Sequence, residues 1–249
     1  MAHRRRILIT GASSGLGEAM ARRWAAAGHD LGLVARRTDR LETLGAELAG
    51  GAGRIVVRPL DVTDAAAVPA VVDEVRDALG GLDRVVVNAG IGRGAPVGTG
   101  RPDANRDTLL TNAVAVFDQA EAALAVFRAQ GHGHLVLIGS VAGVVGLPGA
   151  TAAYSASKAA LASLGQSLRA EFAASGVPVR VTTVLPGYIR TPLNEGGRRP
   201  LAVSLERGAD ALVAAIDREP AVAFVPRWPW AVVGRVLPRL PTRVRGRLG

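Results

Sequence analysis

The segment YSASKAALAS, residues 154 to 163, holds the only lysine of the chain; the other twenty-nine of its thirty Lys and Arg residues are arginine. Four residues before Lys158 stands Tyr154, one of only two tyrosines. At that spacing the two share a helix face. A phenol has a pKa of about 10 and exchanges protons poorly at neutral pH until that value is lowered. A nearby ammonium favours the phenolate, and each pKa unit corresponds to about 1.4 kcal/mol. Arginine would also bring positive charge, but as a broad planar fork. Lysine is a slim point charge on a flexible stem with three donors, and it titrates more readily. The pair suits proton exchange, with the lysine able to pass protons in a relay. The competing reading, an exposed helix lysine, leaves unexplained why a chain that uses arginine everywhere else uses lysine here.

Strand and helix signals alternate around this pair. Apolar strands are expected at 6–10, 30–35, 54–60, 82–87, 134–139, 177–185 and 221–225. Helices are expected at 15–27, 38–49, 63–79 with Thr63 as cap, 103–129, 152–174 and 204–218. Strands that are apolar throughout and separated by helices imply a parallel sheet covered on both faces. Right-handed crossovers then make the fold class α/β and doubly wound. Ligands of such sheets bind outside the carboxyl ends of the strands, so function is sought just after each strand.

After the first strand, TGASSGLG places Gly11, Gly15 and Gly17 around Ser13, Ser14 and Leu16. Glycines there permit a tight turn and let backbone amides approach a pyrophosphate at a helix N-terminus. After the second strand come Arg36 and Arg37, with no acid. An acid would bind the ribose 2′-hydroxyl of NAD, whereas arginine accommodates a 2′-phosphate. The position favours NADP(H) over NADH, with Ser13 or Ser14 adding a hydroxyl; the alternative is a pair of ordinary surface arginines. Asp61, beside Val62, either bonds an adenine amino group or caps its own loop, and both readings stay open. Asn88, Ala89 and Gly90 are small enough to line the adenosine ribose. Ser140 follows the fifth strand. Pro186 and Gly187 turn the chain sharply after the sixth, and the segment to about Val203 reads as a surface loop or as a lid over substrate. The substrate pocket is expected from 91–102, 141–151 and 188–203, where Val144, Val145, Leu147 and Leu193 suggest an apolar substrate.

A chain of 249 residues suits one large α/β domain, or at most two small ones. The absence of cysteine excludes disulfides, thiol catalysis and thiolate metal sites. His3, His29, His132 and His134 have no metal-site context, so no metal is expected; His132 and His134 are expected in the loop before a strand. The net charge of +9 points toward polyanions. Aromatics make up only 4% of the chain, however, so nucleic acid is not an expected partner. No signal-peptide pattern or run of 18 apolar residues is visible, and a cytoplasmic location is expected. The catalytic domain is expected over 1–225. Residues 226–249 differ, with six Arg, two Trp and no acid. They read as an arm packed on the core or on another subunit. The alternative is an amphipathic anchor on an anionic membrane, which Pro229, Pro238 and Pro241 weaken.

In order along the chain, T-G-x-x-x-G-x-G, N-A-G, Ser140, Y-x-x-x-K and P-G-x-x-x-T strongly resemble the short-chain dehydrogenase/reductase family over about residues 5 to 225. The resemblance implies a single Rossmann-type fold with a seven-stranded parallel sheet and helices on both faces. It implies Tyr154 as general acid/base, and Lys158 as the residue that lowers the tyrosine pKa and holds the nicotinamide ribose. Ser140 then orients and polarises the substrate carbonyl. Asn112, otherwise an unremarkable polar helix residue, holds a proton-relay water. Ile189 and Thr191 orient the nicotinamide carboxamide. The implied activity is NADP(H)-dependent interconversion of a small ketone or aldehyde with its alcohol. Alternatives are a 3-oxoacyl-thioester reductase acting on a carrier protein and a non-catalytic dinucleotide sensor; a sensor needs the pocket but not the acid. A homodimer or homotetramer through helices 103–129 and 152–174 is also implied. Two departures stand out: Val87 replaces a frequent asparagine, and the interval from Ser140 to Tyr154 is one residue longer than in many members, absorbed by the GVVGLPGAT loop.

Overall fold

The computed structural model describes residues 4–192 and 201–245. Its strands are β1 (Arg6–Thr10), β2 (Asp30–Ala35), β3 (Ile55–Pro59), β4 (Arg84–Val87), β5 (Gly133–Ile138), β6 (Val179–Pro186) and β7 (Val222–Val225). They form one sheet in the order β3-β2-β1-β4-β5-β6-β7, parallel at every pairing. The central strands are apolar on both sides because both sides are covered. Leu8, Val85, Val87, Leu135 and Leu137 join a core with helices α3 (Ala67–Leu79), α5 (Ala115–Gln130) and α6 (Ala152–Ser175). The alternate residues Ile7, Ile9, Val86, Val136 and Ile138 join a second core with α1 (Gly15–Ala26), α2 (Thr38–Leu48) and α7 (Leu205–Asp217).

Three local features depart from expectation. Thr63 does not cap the third helix, which begins at Ala67. Its amide and hydroxyl instead donate to Asp61 Oδ1 at 3.0 and 2.8 Å, and Asp64 Oδ1 accepts the amides of Ala66 and Ala67, each at 3.2 Å. The expected helix 103–129 is α4 (Pro102–Leu109) and α5, joined by a π-helical turn, Leu110–Val114. Such single-turn bulges recur at functional sites, and this one carries Asn112. The stretch Pro102–Gln130 is long and apolar enough by composition to cross a membrane, yet α5 buries Ala120, Ala123 and Phe127 in the first core. His134 lies inside β5, not in the loop before it. Arg84 Nε donates to its Nδ1 at 3.0 Å, and Nε2 lies 2.8 Å from Thr182 Oγ1. Burial, followed by the Arg84 charge, lowers the His134 pKa to about 3. After β7, helix α8 (Arg227–Val236) folds back with Trp230 buried.

Candidate active site

Strand order reverses between β1 and β4, and the crevice of a doubly wound sheet opens at such a switch. The two strand ends are tied together there. The amides of Asn88 and Ala89 donate to Thr10 Oγ1 at 3.0 and 3.1 Å, and Asn88 Nδ2 donates to the Thr10 carbonyl at 2.9 Å. Gly11 follows with φ +66°, and a Cβ on it would stand 2.8 Å from Ala89 Cα. A Cβ on Gly17 would stand 2.3 Å from the Gly11 carbonyl oxygen. The first glycine thus lets the two loops touch, and the last lets α1 sit against the turn. Ser14, the residue before α1, makes no side-chain cap, so the helix N-terminus is open toward the crevice.

Above this floor lies a cleft of about 720 Å³. Of the catalytic and coenzyme-binding residues expected from the sequence, all but Gly17 and Asn112 line it. Arg37 Nη2 donates to the hydroxyls of Ser13 and Ser14, which joins the loop after β2 to the glycine turn. Arg36, 64% exposed, stands 3.7 Å from Asp61 Oδ2. Burial alone would raise the Asp61 carboxyl. The Thr63 hydrogen bonds and the Arg36 charge outweigh it and hold the pKa below the ordinary carboxylate value. Asp61 therefore does fix its own loop, as one of the two open readings has it, while one edge still faces the cleft.

At the other end stand Ser140, Tyr154 and Lys158. Ser140 begins the 3-10 turn Val141–Gly143, and its Oγ accepts the Ala142 amide at 3.1 Å. Lys158 is 4% exposed. Its Nζ donates to the Ile138 carbonyl at 2.9 Å and lies 5.7 Å from the centroid of the Tyr154 ring. The ammonium and phenol therefore face one cleft. Burial alone lowers the Lys158 pKa to about 8. Asn112 is fully buried behind this group. Its Oδ1 accepts the Ile91 amide at 2.8 Å, and its Nδ2 donates to the Ile91 carbonyl at 2.7 Å. These two bonds hold the loop after β4. A Cβ on Gly90 would lie 3.1 Å from Asn112 Oδ1 and 3.7 Å from Lys158 Nζ, so Gly90 leaves open the space between the two.

Sequence reasoning missed several residues. Thr10 ties β1 to β4, and its signal was a hydroxyl ending an apolar strand. Ile138 holds the lysine through a backbone oxygen, for which no side-chain signal exists. Thr111 lines the cleft from the π turn. The expected substrate lining meets this cleft only in part. Only 91–93 of the segment 91–102 reach the cleft; Pro96, Val97, Gly98, Gly100, Arg101 and Pro102 border a separate groove of about 740 Å³ with Leu109 and Val114. Val144, Val145 and Leu147 do not line the cleft, and Val144 packs instead against the cluster around Trp230. Leu193 lies outside the described residues.

The family model for short chain dehydrogenases matches residues 5–201. The chain belongs to the short-chain dehydrogenase family. It is 53% identical over 247 residues, 98% of this chain and 97% of the relative, to an uncharacterized oxidoreductase of Mycobacterium tuberculosis. Among solved structures, the chain resembles a short-chain dehydrogenase of Sphingobium yanoikuyae in complex with NADPH. The TM-score is 0.82 and the identity 31%, covering 94% of this chain and 92% of that one. An alcohol dehydrogenase of Thermococcus sibiricus complexed with 5-hydroxy-NADP aligns with TM-score 0.78 at 26% identity, over 89% and 95%. The seven-stranded parallel sheet is the Rossmann-like sheet of this family, and the protein is an oxidoreductase.

The cleft fits a dinucleotide on its own geometry. Gly11 and Gly17 form a cradle that a Cβ would fill. The N-terminus of α1 is open for a phosphate. The cation of Lys158 stands at the far end, beside the only cleft-lining tyrosine among the described residues.

Proposed function

We propose that this dehydrogenase is an NADP(H)-dependent oxidoreductase that interconverts a ketone or aldehyde with the corresponding alcohol. The observation that carries the reading is the buried Lys158, held on the Ile138 carbonyl beside Tyr154 at one end of a dinucleotide-sized cleft. Coenzyme preference rests on Arg36 and Arg37, with no acid after β2, and on the reach of Arg37 to Ser13 and Ser14. These are donors matched to a 2′-phosphate. The NADPH and 5-hydroxy-NADP bound by the two solved relatives support the same choice.

A nicotinamide coenzyme, held by the glycine turn 11–17 and by Lys158, would supply or accept hydride at the carbonyl carbon. The residues of the chain manage the oxygen. Ser140 Oγ spends a lone pair on the Ala142 amide, so its own proton remains to be donated to the substrate oxygen. The Tyr154 hydroxyl donates its proton to the alkoxide as charge develops there, and the reverse reaction returns it. The Lys158 ammonium stabilises the phenolate left behind. In a cleft walled by protein such charge–charge stabilisation exceeds its value in water. Asn112 acts through Ile91, keeping the loop with Gly90 clear of Lys158. Lys158 also offers protons to the coenzyme ribose.

The test is a panel of aliphatic and aromatic ketones assayed for coenzyme oxidation with NADPH and with NADH. Turnover with NADPH at higher kcat/KM than with NADH is expected. Binding of NADPH with no turnover across the panel would replace the enzyme reading by that of a coenzyme sensor.

A further inference from the structure

The carboxyl-terminal arm lies outside the cleft, yet it touches both turns that close its reactive end. Trp230 on α8 is 4% exposed. It forms a small apolar cluster with Val141 and Leu185, against which Val144, Tyr188, Phe224 and Val233 pack. Tyr188 meets the indole edge to face, with ring centroids 5.3 Å apart and planes at 89°. A Cβ built on Gly187 would fall 2.0 Å from the Trp230 ring, so the turn after β6 lies directly on the indole. Gly187 lines the cleft, as do Ile189 and Thr191 beyond it.

The same indole reaches the other turn. Val141 opens the 3-10 turn that begins at Ser140, and Gly143 closes it. A Cβ on Gly143 would lie 2.6 Å from the Lys158 carbonyl carbon. The turn is therefore clamped, with the α6 backbone at Lys158 on one side and the Trp230 cluster on the other. The arm itself is seated closely: a Cβ on Gly234 would stand 2.2 Å from the Phe224 ring, which sets α8 tight against β7. The indole Nε1 is buried with no hydrogen-bond partner among the described residues. A buried donor left unpaired is a loss, so what this position contributes is the area and shape of the ring.

We infer that Trp230 is a positioning residue of the active site. Its ring sets the spacing between the Ser140 turn and the Gly187 turn, and so the berth of the carbonyl beside the coenzyme. The inference rests on the coenzyme and carbonyl reading of the cleft, and it extends the site to an arm that touches neither ligand.

The test uses the full-length chain with Trp230→Leu, Trp230→Phe, Gly187→Ala and the double variant Gly187→Ala/Trp230→Leu. In coenzyme-free protein, Trp230→Leu should speed amide exchange about tenfold in both 140–145 and 187–192, leaving the glycine turn 11–17 as in wild type. Faster exchange confined to 226–240 would overturn the inference. Gly187→Ala should weaken NADPH binding and raise the ketone KM about tenfold. Adding Trp230→Leu should recover most of that loss, because leucine vacates the space the new Cβ needs. Losses that simply add would count against the contact. Trp230→Phe should keep amide exchange in 140–145 and 187–192 within about threefold of wild type; exchange as fast as in Trp230→Leu would refute the role assigned to ring shape. If wild-type protein bound neither NADPH nor NADH, the coenzyme reading would fall, and the exchange comparison would still decide whether the arm holds the two turns.

Discussion

Replacing Lys158 by methionine should make the protein more stable and inactive at once. The lysine is buried, and its pKa falls from 10.5 to about 8 for that reason alone. At pH 7 it is charged in both the folded and the unfolded chain, and the folded chain bears the full desolvation penalty. At about 1.4 kcal/mol per unit that penalty is on the order of 3 kcal/mol. Methionine removes it but leaves the Ile138 carbonyl without its lysine donor, a loss of about 1–2 kcal/mol. The net gain is then about 2 kcal/mol, or roughly 4–8 °C in Tm for a chain of this size. The sign reverses with alkali. Between pH 8 and 10.5 the folded lysine has lost its proton and the unfolded one has not, so wild-type stability rises relative to the variant by about 3 kcal/mol across that window; the gain vanishes part-way through it, and at its upper end the wild type, which keeps its bond to the Ile138 carbonyl, is the more stable. Urea denaturation of both coenzyme-free proteins from pH 7 to 10.5 checks this. Curves that run parallel throughout, or a variant less stable at pH 7, would refute the idea that the site holds its cation at the expense of the fold.

Other consequences are more local. Arg37→Ala should weaken NADPH binding by about 10–100-fold, the worth of one or two charged hydrogen bonds, and leave NADH binding nearly unchanged; calorimetric titration of both coenzymes measures the ratio. Arg36→Asp should move the preference toward NADH, and an unchanged ratio of kcat/KM values would remove Arg36 from phosphate recognition. Asn112→Ala leaves the Ile91 amide and carbonyl unpaired, so a loss of about 2–5 kcal/mol is expected in chemical denaturation. His134 is neutral when folded, with a pKa of about 3. As pH falls below its unfolded value of about 6.5, the unfolded chain takes up a proton first, and stability is lost down to about pH 3 at up to about 1.4 kcal/mol per pH unit. His134→Gln should flatten that slope.

The succession of strands and helices along the chain was legible because an apolar strand buried on both faces looks different from an amphipathic helix. Most of the site was legible too, since a doubly wound sheet directs attention to the residues after each strand. What escaped notice depended on partners distant in sequence or on backbone atoms. Thr63 has the chemistry of a helix cap, but Asp61 two residues earlier takes its hydroxyl. The π turn at Leu110–Val114 leaves no mark on the hydrophobic pattern. The bonds of Asn112 go to the backbone of Ile91, and that of Lys158 to the backbone of Ile138; neither acceptor has a side-chain signature. Val144 looked like substrate lining because apolar residues near a catalytic serine invite that reading, yet its neighbours are those of Trp230. That burial was hidden by a segment of prolines and arginines whose contact with the core, an indole matched to Gly187, depends on residues distant in sequence.

The central claim is that the Tyr154 hydroxyl is the proton donor. It is tested most directly by comparing Tyr154→Phe with wild type, measuring NADPH affinity and ketone turnover on the same samples. The account predicts unchanged NADPH affinity and a turnover lower by about 10²-fold or more. Turnover within a few-fold of wild type, with the coenzyme still bound, would contradict it.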